Sequence, residues 1–129
     1  GDGVSDVDIT RLLAFHDEQQ ALATVTIIQP AGRYGSVEVD GERVKSFHEK
    51  QDGDGQWFSG GFFVCNPKVI DYIDDDTTIW EREPLERLVA KNQLAVWKHR
   101  GFWAAMDTVR DKHYLEDLWS NNKAPWKSW

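Results

Sequence analysis

The chain has 129 residues, of which 40% are hydrophobic, and a formal net charge of -7 at pH 7. This length is enough for one hydrophobic core and too short for two ordinary domains, so we predict a single domain over residues 1–129. The negative charge argues against general binding to nucleic acid or to an anionic membrane, and no apolar run reaches membrane-spanning length.

Cys65 is the one cysteine of the sequence, and it follows the apolar run Phe62-Phe63-Val64. It has no partner for an internal disulfide, so we expect a small core residue in a reducing compartment rather than a catalytic thiol. The sequence shows no signal-like leader, and we therefore expect a cytoplasmic protein.

The first elements in chain order are a helix and a buried strand. Ser5 and Asp8 form a capping-box pattern ahead of apolar residues at helical spacing, which predicts a helix over 6–20. Residues 23–29 form an almost continuous β-branched run that ends before a proline. Such a run is typical of a strand that is buried on both faces.

The next element is a β-hairpin, followed by alternating strands and helices. Asp40-Gly41 between two segments of alternating polarity predicts the hairpin over 36–49. Strands are predicted over 57–64 and 94–98, a short helix over 67–72, and helices over 84–92 and 108–120, the last with a Thr108–Asp111 capping box. This order favours a mixed α/β architecture whose sheet is not purely parallel.

Two glycines, Gly60 and Gly61, interrupt the strand predicted over 57–64. They indicate either a β-bulge or a place where a ligand lies against bare backbone. The sequence alone does not choose between these alternatives.

Asp2 and Asp107 are the candidate metal ligands. Each stands where an apolar run gives way to a capped helix, so in an open sheet both side chains could point into the crevice at the strand ends. Two carboxylates suffice for Mg²⁺ when water and phosphate oxygens complete its coordination. The alternative is that each aspartate only caps a turn.

Glu49, Lys50 and Trp103 are candidate substrate-binding residues. The lysine adjoins a glycine-rich loop and could hold a sugar phosphate as a point charge, while the glutamate accepts hydrogen bonds from sugar hydroxyls. Trp103 offers an apolar face beside Gly60 and Gly61. A solvated charge pair is the alternative for Glu49 and Lys50.

Five blocks in order resemble a known family: GDGVSDVDI at 1–9, FxEK at 47–50, GDGxWxxGGFFV at 53–64, WEREPLERL at 80–88 and MDTxRDK at 106–112. Together they are similar to the C-terminal half of the glucose-1-phosphate cytidylyltransferases, which belong to the sugar nucleotidyltransferases. The resemblance covers essentially the whole chain.

The resemblance implies a Rossmann-like mixed sheet with a β-hairpin and flanking helices, and a reaction that joins CTP and glucose 1-phosphate to give CDP-glucose and pyrophosphate. It assigns Mg²⁺ to Asp2 and Asp107, with Asp107 and Lys50 as catalytic residues. It also assigns the sugar phosphate to Lys50, and the sugar hydroxyls to Glu49 and the backbone of 60–61. In physical terms this is positioning combined with charge neutralisation.

The family's N-terminal half, with its glycine-rich nucleotide loop, has no counterpart within these residues. We therefore expect no CDP-glucose synthesis by the chain alone, because the reactants would not be oriented. We also expect an unpaired edge on the strand over 23–29, and self-association into a homo-oligomer that covers it.

Three functions remain open from the sequence. The chain is a catalytic half that needs a partner, a non-catalytic sugar-phosphate-binding or self-assembling module, or a fragment without a function of its own. Binding of a sugar 1-phosphate through Lys50 would separate the first two from the third.

Overall fold

The computed structural model describes residues 1–29, 36–48 and 56–129. In chain order the helices and strands are β1 (Gly3–Ser5), α1 (Ile9–Gln19), β2 (Ala23–Ile28), β3 (Ser36–Asp40), β4 (Arg43–His48), β5 (Phe58–Cys65), a 3-10 helix (Pro67–Tyr72), α2 (Glu83–Ala90), β6 (Leu94–His99), β7 (Trp103–Ala105) and α3 (Val109–Ser120). The predicted mixed α/β architecture is confirmed.

The central sheet has three strands, with β2 between β5 and β6. β2 runs antiparallel to β5 and parallel to β6, so the sheet is mixed as predicted. The expectation that β2 has an unpaired edge is wrong. The segment after β5 crosses over through the 3-10 helix and α2 and returns as β6, so this chain itself supplies both neighbours of β2.

Helices cover both faces of β2, which explains its β-branched sequence. Thr24 is buried and its hydroxyl contacts Nδ1 of His16 on α1 at 2.8 Å. Ala23 is also buried and packs with Val69 of the 3-10 helix and Leu88 of α2. Since successive side chains of a strand point to opposite faces, α1 lies on one face of the sheet and α2 on the other.

Two smaller sheets complete the described fold. β3 and β4 form the predicted hairpin, with Gly41 in the turn at a φ of +61°. β1 and β7 form an antiparallel pair in which Val4 faces Ala104. We did not predict this pair as a unit, because three-residue strands are too short to show a periodicity in the sequence.

The helix starts show which capping patterns the chain uses. Thr108 and Asp111 form the predicted capping box at the start of α3. At α1 the prediction is wrong, because Asp8 is the N-cap and the helix starts after it. Ser5 lies in β1 instead, and its hydroxyl donates to the carbonyl oxygen of Phe102 at 2.6 Å.

Cys65 is exposed at the end of β5, so the expectation of a core cysteine is wrong. The apolar run before Cys65 lies inside β5, whereas Cys65 is the last residue of this strand. In the described parts of the chain, no helix is long and apolar enough to cross a membrane.

Candidate active site

Asp2 and Asp107 lie side by side in the structure. Because β1 and β7 are antiparallel, the residue before β1 and the residues after β7 stand at the same end of this small sheet. The N–H of Met106 donates to the carbonyl oxygen of Asp2 at 2.9 Å. The carboxyl groups of Asp2 and Asp107 lie close enough to shift each other's pKa.

The two carboxyl groups titrate as a pair. The hydrogen bond from Asp107 holds the pKa of Asp2 below its ordinary value. The same contact, together with the negative charge of Asp2, raises the pKa of Asp107. Close carboxylates behave in this way because both cannot carry a full charge without a neutralising partner.

The donor set of Asp2 and Asp107 fits a divalent cation. A cation between two carboxylates replaces the shared proton and neutralises both charges. Among the described residues, no group of three or more His, Cys, Asp or Glu side chains comes together. Two carboxylates with water and phosphate oxygens form the type of site that Mg²⁺ prefers.

Both aspartates open onto a cavity of about 590 Å³. Its lining consists of the ends of β1 and β7, the middle of β5 and one residue before α2: Gly1, Asp2, Gly3, Ser59, Gly60, Gly61, Phe62, Phe63, Glu81, Trp103, Ala105 and Asp107. Five of the seven predicted site residues therefore line one cavity.

The wall of the cavity bulges at Gly60 and Gly61. The pairing of β2 with β5 shifts between Val25 and Ile27, opposite this segment. Gly61 has a φ of +75°, and a Cβ at this position would meet no atom within 4 Å. The bulge alternative is therefore confirmed, and the bulge also turns bare backbone towards the cavity. That a ligand lies against this backbone stays a prediction.

Phe62 also has a left-handed backbone, with a φ of 49°. A bulky residue adopts this conformation only when its surroundings hold it there, and such strain is common at binding sites. The hydroxyl of Thr26 donates to the carbonyl oxygen of Phe62 at 3.1 Å and fixes the bulge from the sheet side. This strain could not be predicted from the sequence, because phenylalanine is an ordinary strand residue.

Trp103 connects the two sheets that form the cavity. Its indole N–H donates to the carbonyl oxygen of Gly60 at 2.9 Å. A Cβ added at Gly3 would lie 3.2 Å from the Trp103 ring, so the ring also packs closely on β1. Trp103 thus fixes the position of the aspartate pair relative to the bulge, and its role is partly structural.

Glu81 is a cavity residue that the sequence reasoning missed. It belongs to a block that carries the family resemblance, but its position between Trp80 and a helix start gave no functional signal. In the structure it lines the same cavity as Asp2 and Asp107. It has no hydrogen bond or ion pair with another described residue.

The candidates Glu49 and Lys50 lie outside the described residues. Their proposed contacts with the sugar phosphate therefore remain predictions. The roles of the cavity residues also remain predictions, although the structure brings their side chains or backbone together.

Comparison with known proteins identifies the family of this chain. The Nucleotidyl transferase family model matches residues 1–115, and the chain belongs to this family. The crystal structure of HddC from Yersinia pseudotuberculosis has a similar fold, with a TM-score of 0.59 at 15% identity over 92% of this chain and 52% of that one.

The chain is similar in sequence to glucose-1-phosphate cytidylyltransferases. It is 51% identical to those of Salmonella typhi and Salmonella typhimurium over all 129 residues, which is 50% of each relative. It is 30% identical over 122 residues to the mannose-1-phosphate guanylyltransferase catalytic subunit beta of Dictyostelium discoideum, covering 91% of this chain and 33% of that protein. The chain thus spans about half the length, or less, of these relatives.

The resemblance to glucose-1-phosphate cytidylyltransferases is confirmed by these identities. That the matched part is the sugar-phosphate-binding half stays a prediction.

Proposed function

We propose that this chain forms the sugar-phosphate-binding and metal-binding part of a glucose-1-phosphate cytidylyltransferase. The complete reaction would join CTP and glucose 1-phosphate to give CDP-glucose and pyrophosphate. The observation that supports this most is the cavity of about 590 Å³, which is lined together by Asp2, Asp107, Gly60, Gly61 and Trp103.

Each cavity residue has a part in this proposal. Asp2 and Asp107 would hold Mg²⁺, which when bound neutralises phosphate charge at the reacting end. The bare backbone at Gly60 and Gly61 accepts a sugar ring at close distance, and Trp103 keeps this wall in register with the aspartates. Lys50 and Glu49 would complete the contacts with the phosphate and the sugar.

Binding of glucose 1-phosphate tests this proposal directly. In the presence of Mg²⁺, millimolar glucose 1-phosphate should raise the melting temperature of the 129-residue chain. Asp107→Asn should remove the rise, whereas Asp76→Asn, which changes an exposed acid outside the cavity, should keep it. Absence of a rise in the unsubstituted chain, or an unchanged rise in Asp107→Asn, would contradict the proposed site.

We also propose that residues 1–129 do not catalyse the reaction when they are alone. The sequence contains no glycine-rich loop followed by arginine and lysine that would orient the triphosphate. Release of pyrophosphate from CTP and glucose 1-phosphate by the purified chain would contradict this part. Binding without turnover is expected both for a catalytic half that lacks its partner and for a non-catalytic binding module. Turnover after addition of a nucleotide-binding partner would favour the catalytic half.

Self-association into a homo-oligomer is a further part of the proposal. Its support is now the exposure of apolar helix residues, since the edge of β2 is paired. Ile9 and Leu13 on α1 are 48% and 47% exposed, and Val109 on α3 is 68% exposed. Light scattering at micromolar concentration should show a dimer or larger species, and a monomer would contradict it.

A further inference from the structure

Glu81 stands out among the cavity residues because its carboxylate has no partner among the described residues. The other two carboxylates of the cavity, Asp2 and Asp107, lie beside each other at the candidate metal site. Glu81 shares the cavity with them but joins no group of three metal-ligating side chains. As far as the described residues go, its carboxylate is open to a ligand and does not join the candidate metal site.

The backbone around Glu81 is fixed by the core. The neighbouring Trp80 packs against the cluster of Ala23, Val69 and Leu88, and its ring meets the ring of Phe63 edge-on at a centroid distance of 5.6 Å. The turn is closed by a hydrogen bond of 3.0 Å from the N–H of Arg82 to the carbonyl oxygen of Ile79. Glu81 is thus presented to the cavity from an anchored position.

The contacts along the wall place Glu81 away from the aspartate pair. Trp103 belongs to the strand that ends beside Asp107, and it contacts Gly60 at the start of the bulge. Phe63 lies past the other end of the bulge and contacts Trp80, the residue next to Glu81. The bulge therefore separates the two acidic positions.

We infer that Glu81 recognises the sugar, by accepting hydrogen bonds from ring hydroxyls of a sugar 1-phosphate whose phosphate lies at the Asp2–Asp107 end. This inference rests on the proposed function. A carboxylate accepts hydrogen bonds from two neighbouring hydroxyls, and such charge-assisted bonds are stronger than neutral ones. A carboxylate at this end also disfavours a second phosphate there, so the sugar points in one direction.

Calorimetric titration of the 129-residue chain in Mg²⁺ tests the inference with two probes. Glucose 1-phosphate carries the sugar, while methyl phosphate carries the same phosphate monoester without it. Glu81→Ala should weaken the binding of glucose 1-phosphate about tenfold or more, because a charge-assisted hydrogen bond is lost. The affinity for methyl phosphate should not change. Glu81→Gln should lose less, since its amide oxygen still accepts one hydrogen bond.

Glu86→Gln provides the matched control, because Glu86 is exposed on α2 and does not line the cavity. It should bind both probes like the unsubstituted chain. Equal weakening of both probes in Glu81→Ala would overturn the inference and place Glu81 at the phosphate or the cation. Unchanged binding of both probes would also overturn it while leaving the proposed function intact. Failure of the unsubstituted chain to bind glucose 1-phosphate would overturn the proposed function and the inference together.

Discussion

Two acidic regions of this chain are similar in composition and opposite in structure. In the turn before α2, both carboxylate oxygens of Asp74 accept from the guanidinium of Arg87, at 3.2 and 3.0 Å. In the cavity, Asp2 and Asp107 face each other, and no described Lys, Arg or His side chain forms an ion pair with either. The first region has its counter-charge within the chain, whereas the second has none among the described residues.

The residue next to Asp74 follows the same pattern. Asp75 accepts from the backbone N–H and the hydroxyl of Thr77, at 2.8 and 2.6 Å. The pKa of Asp75 is lowered by these contacts with Thr77. Carboxylates that are satisfied by their own turn have little reason to bind a metal.

The largest expected difference between the two regions is in divalent cation binding. Calorimetry with Mn²⁺ should show binding to the unsubstituted chain and its loss in Asp2→Asn and in Asp107→Asn, because each removes one of two ligands. Asp74→Asn and Asp76→Asn should leave the binding unchanged. Loss of the binding in Asp74→Asn, with retention in Asp107→Asn, would reverse the comparison.

The second prediction concerns the backbone that forms the cavity. In Gly60→Ala the new Cβ would lie 2.9 Å from Cγ2 of Ile28 and 3.2 Å from Nε1 of Trp103. The neighbouring atoms must move to remove this overlap, and this displacement should lower the free energy of unfolding by about 1–3 kcal/mol. Gly61→Ala should cost only about 1 kcal/mol, because its Cβ enters open space and only the left-handed backbone is strained.

Urea unfolding of both glycine variants measures these free energies. The prediction for Gly60 fails if Gly60→Ala is as stable as the unsubstituted chain. Equal losses in the two variants would show that backbone strain, rather than contact with Ile28 and Trp103, determines the glycine at position 60.

The third prediction concerns the cap that holds Asp107 at the start of α3. The hydroxyl of Thr108 accepts from the N–H of Asp111 at 3.1 Å, while Oδ2 of Asp111 accepts from the N–H groups of Asp107 and Thr108. Thr108→Ala should lower the free energy of unfolding by about 1 kcal/mol. Thr108→Ser keeps the hydroxyl and serves as the control in the same urea experiment, and an equal loss in both variants would contradict the capping role.

The sequence predicted most of the fold because its patterns are local. The hairpin has its turn glycine, the strand over 23–28 has its β-branched run, and Thr108 with Asp111 has the spacing of a capping box. The pairing of β1 with β7 was not predicted, because it depends on contacts between distant segments of three residues each. For the same reason, Ser5 was predicted to cap a helix, although it lies in β1 and its hydroxyl donates to the carbonyl oxygen of Phe102.

The candidate site was predicted in part. Asp2 and Asp107 lie together as expected, but the expected reason was wrong for Asp2: it precedes β1, whereas Asp107 follows β7, and the antiparallel pairing of these strands brings them to the same end. Glu81 was not recognised because its importance depends on the packing of Trp80, which is a tertiary contact. The left-handed backbone of Phe62 likewise results from the bulge and from no property of phenylalanine.

The smallest expected effect concerns the pH dependence of the Asp74–Arg87 pair. The hydrogen bonds and charge of Arg87 hold the pKa of Asp74 below its ordinary value of 3.8. A carboxyl whose pKa is lowered by folding contributes stability above its unfolded pKa, and the contribution disappears as the pH falls through the folded pKa. Asp74→Asn should therefore be slightly less stable than the unsubstituted chain at pH 7, and the difference should shrink at acidic pH as the carboxyl becomes protonated in the folded state as well. Both groups are exposed on the surface, so added salt should reduce the difference at pH 7.

Urea unfolding at neutral and at acidic pH, with and without salt, measures the effect, and Asp76→Asn is the control. A difference that persists unchanged at low pH would show that Asp74 acts through the geometry of its turn rather than through its charge.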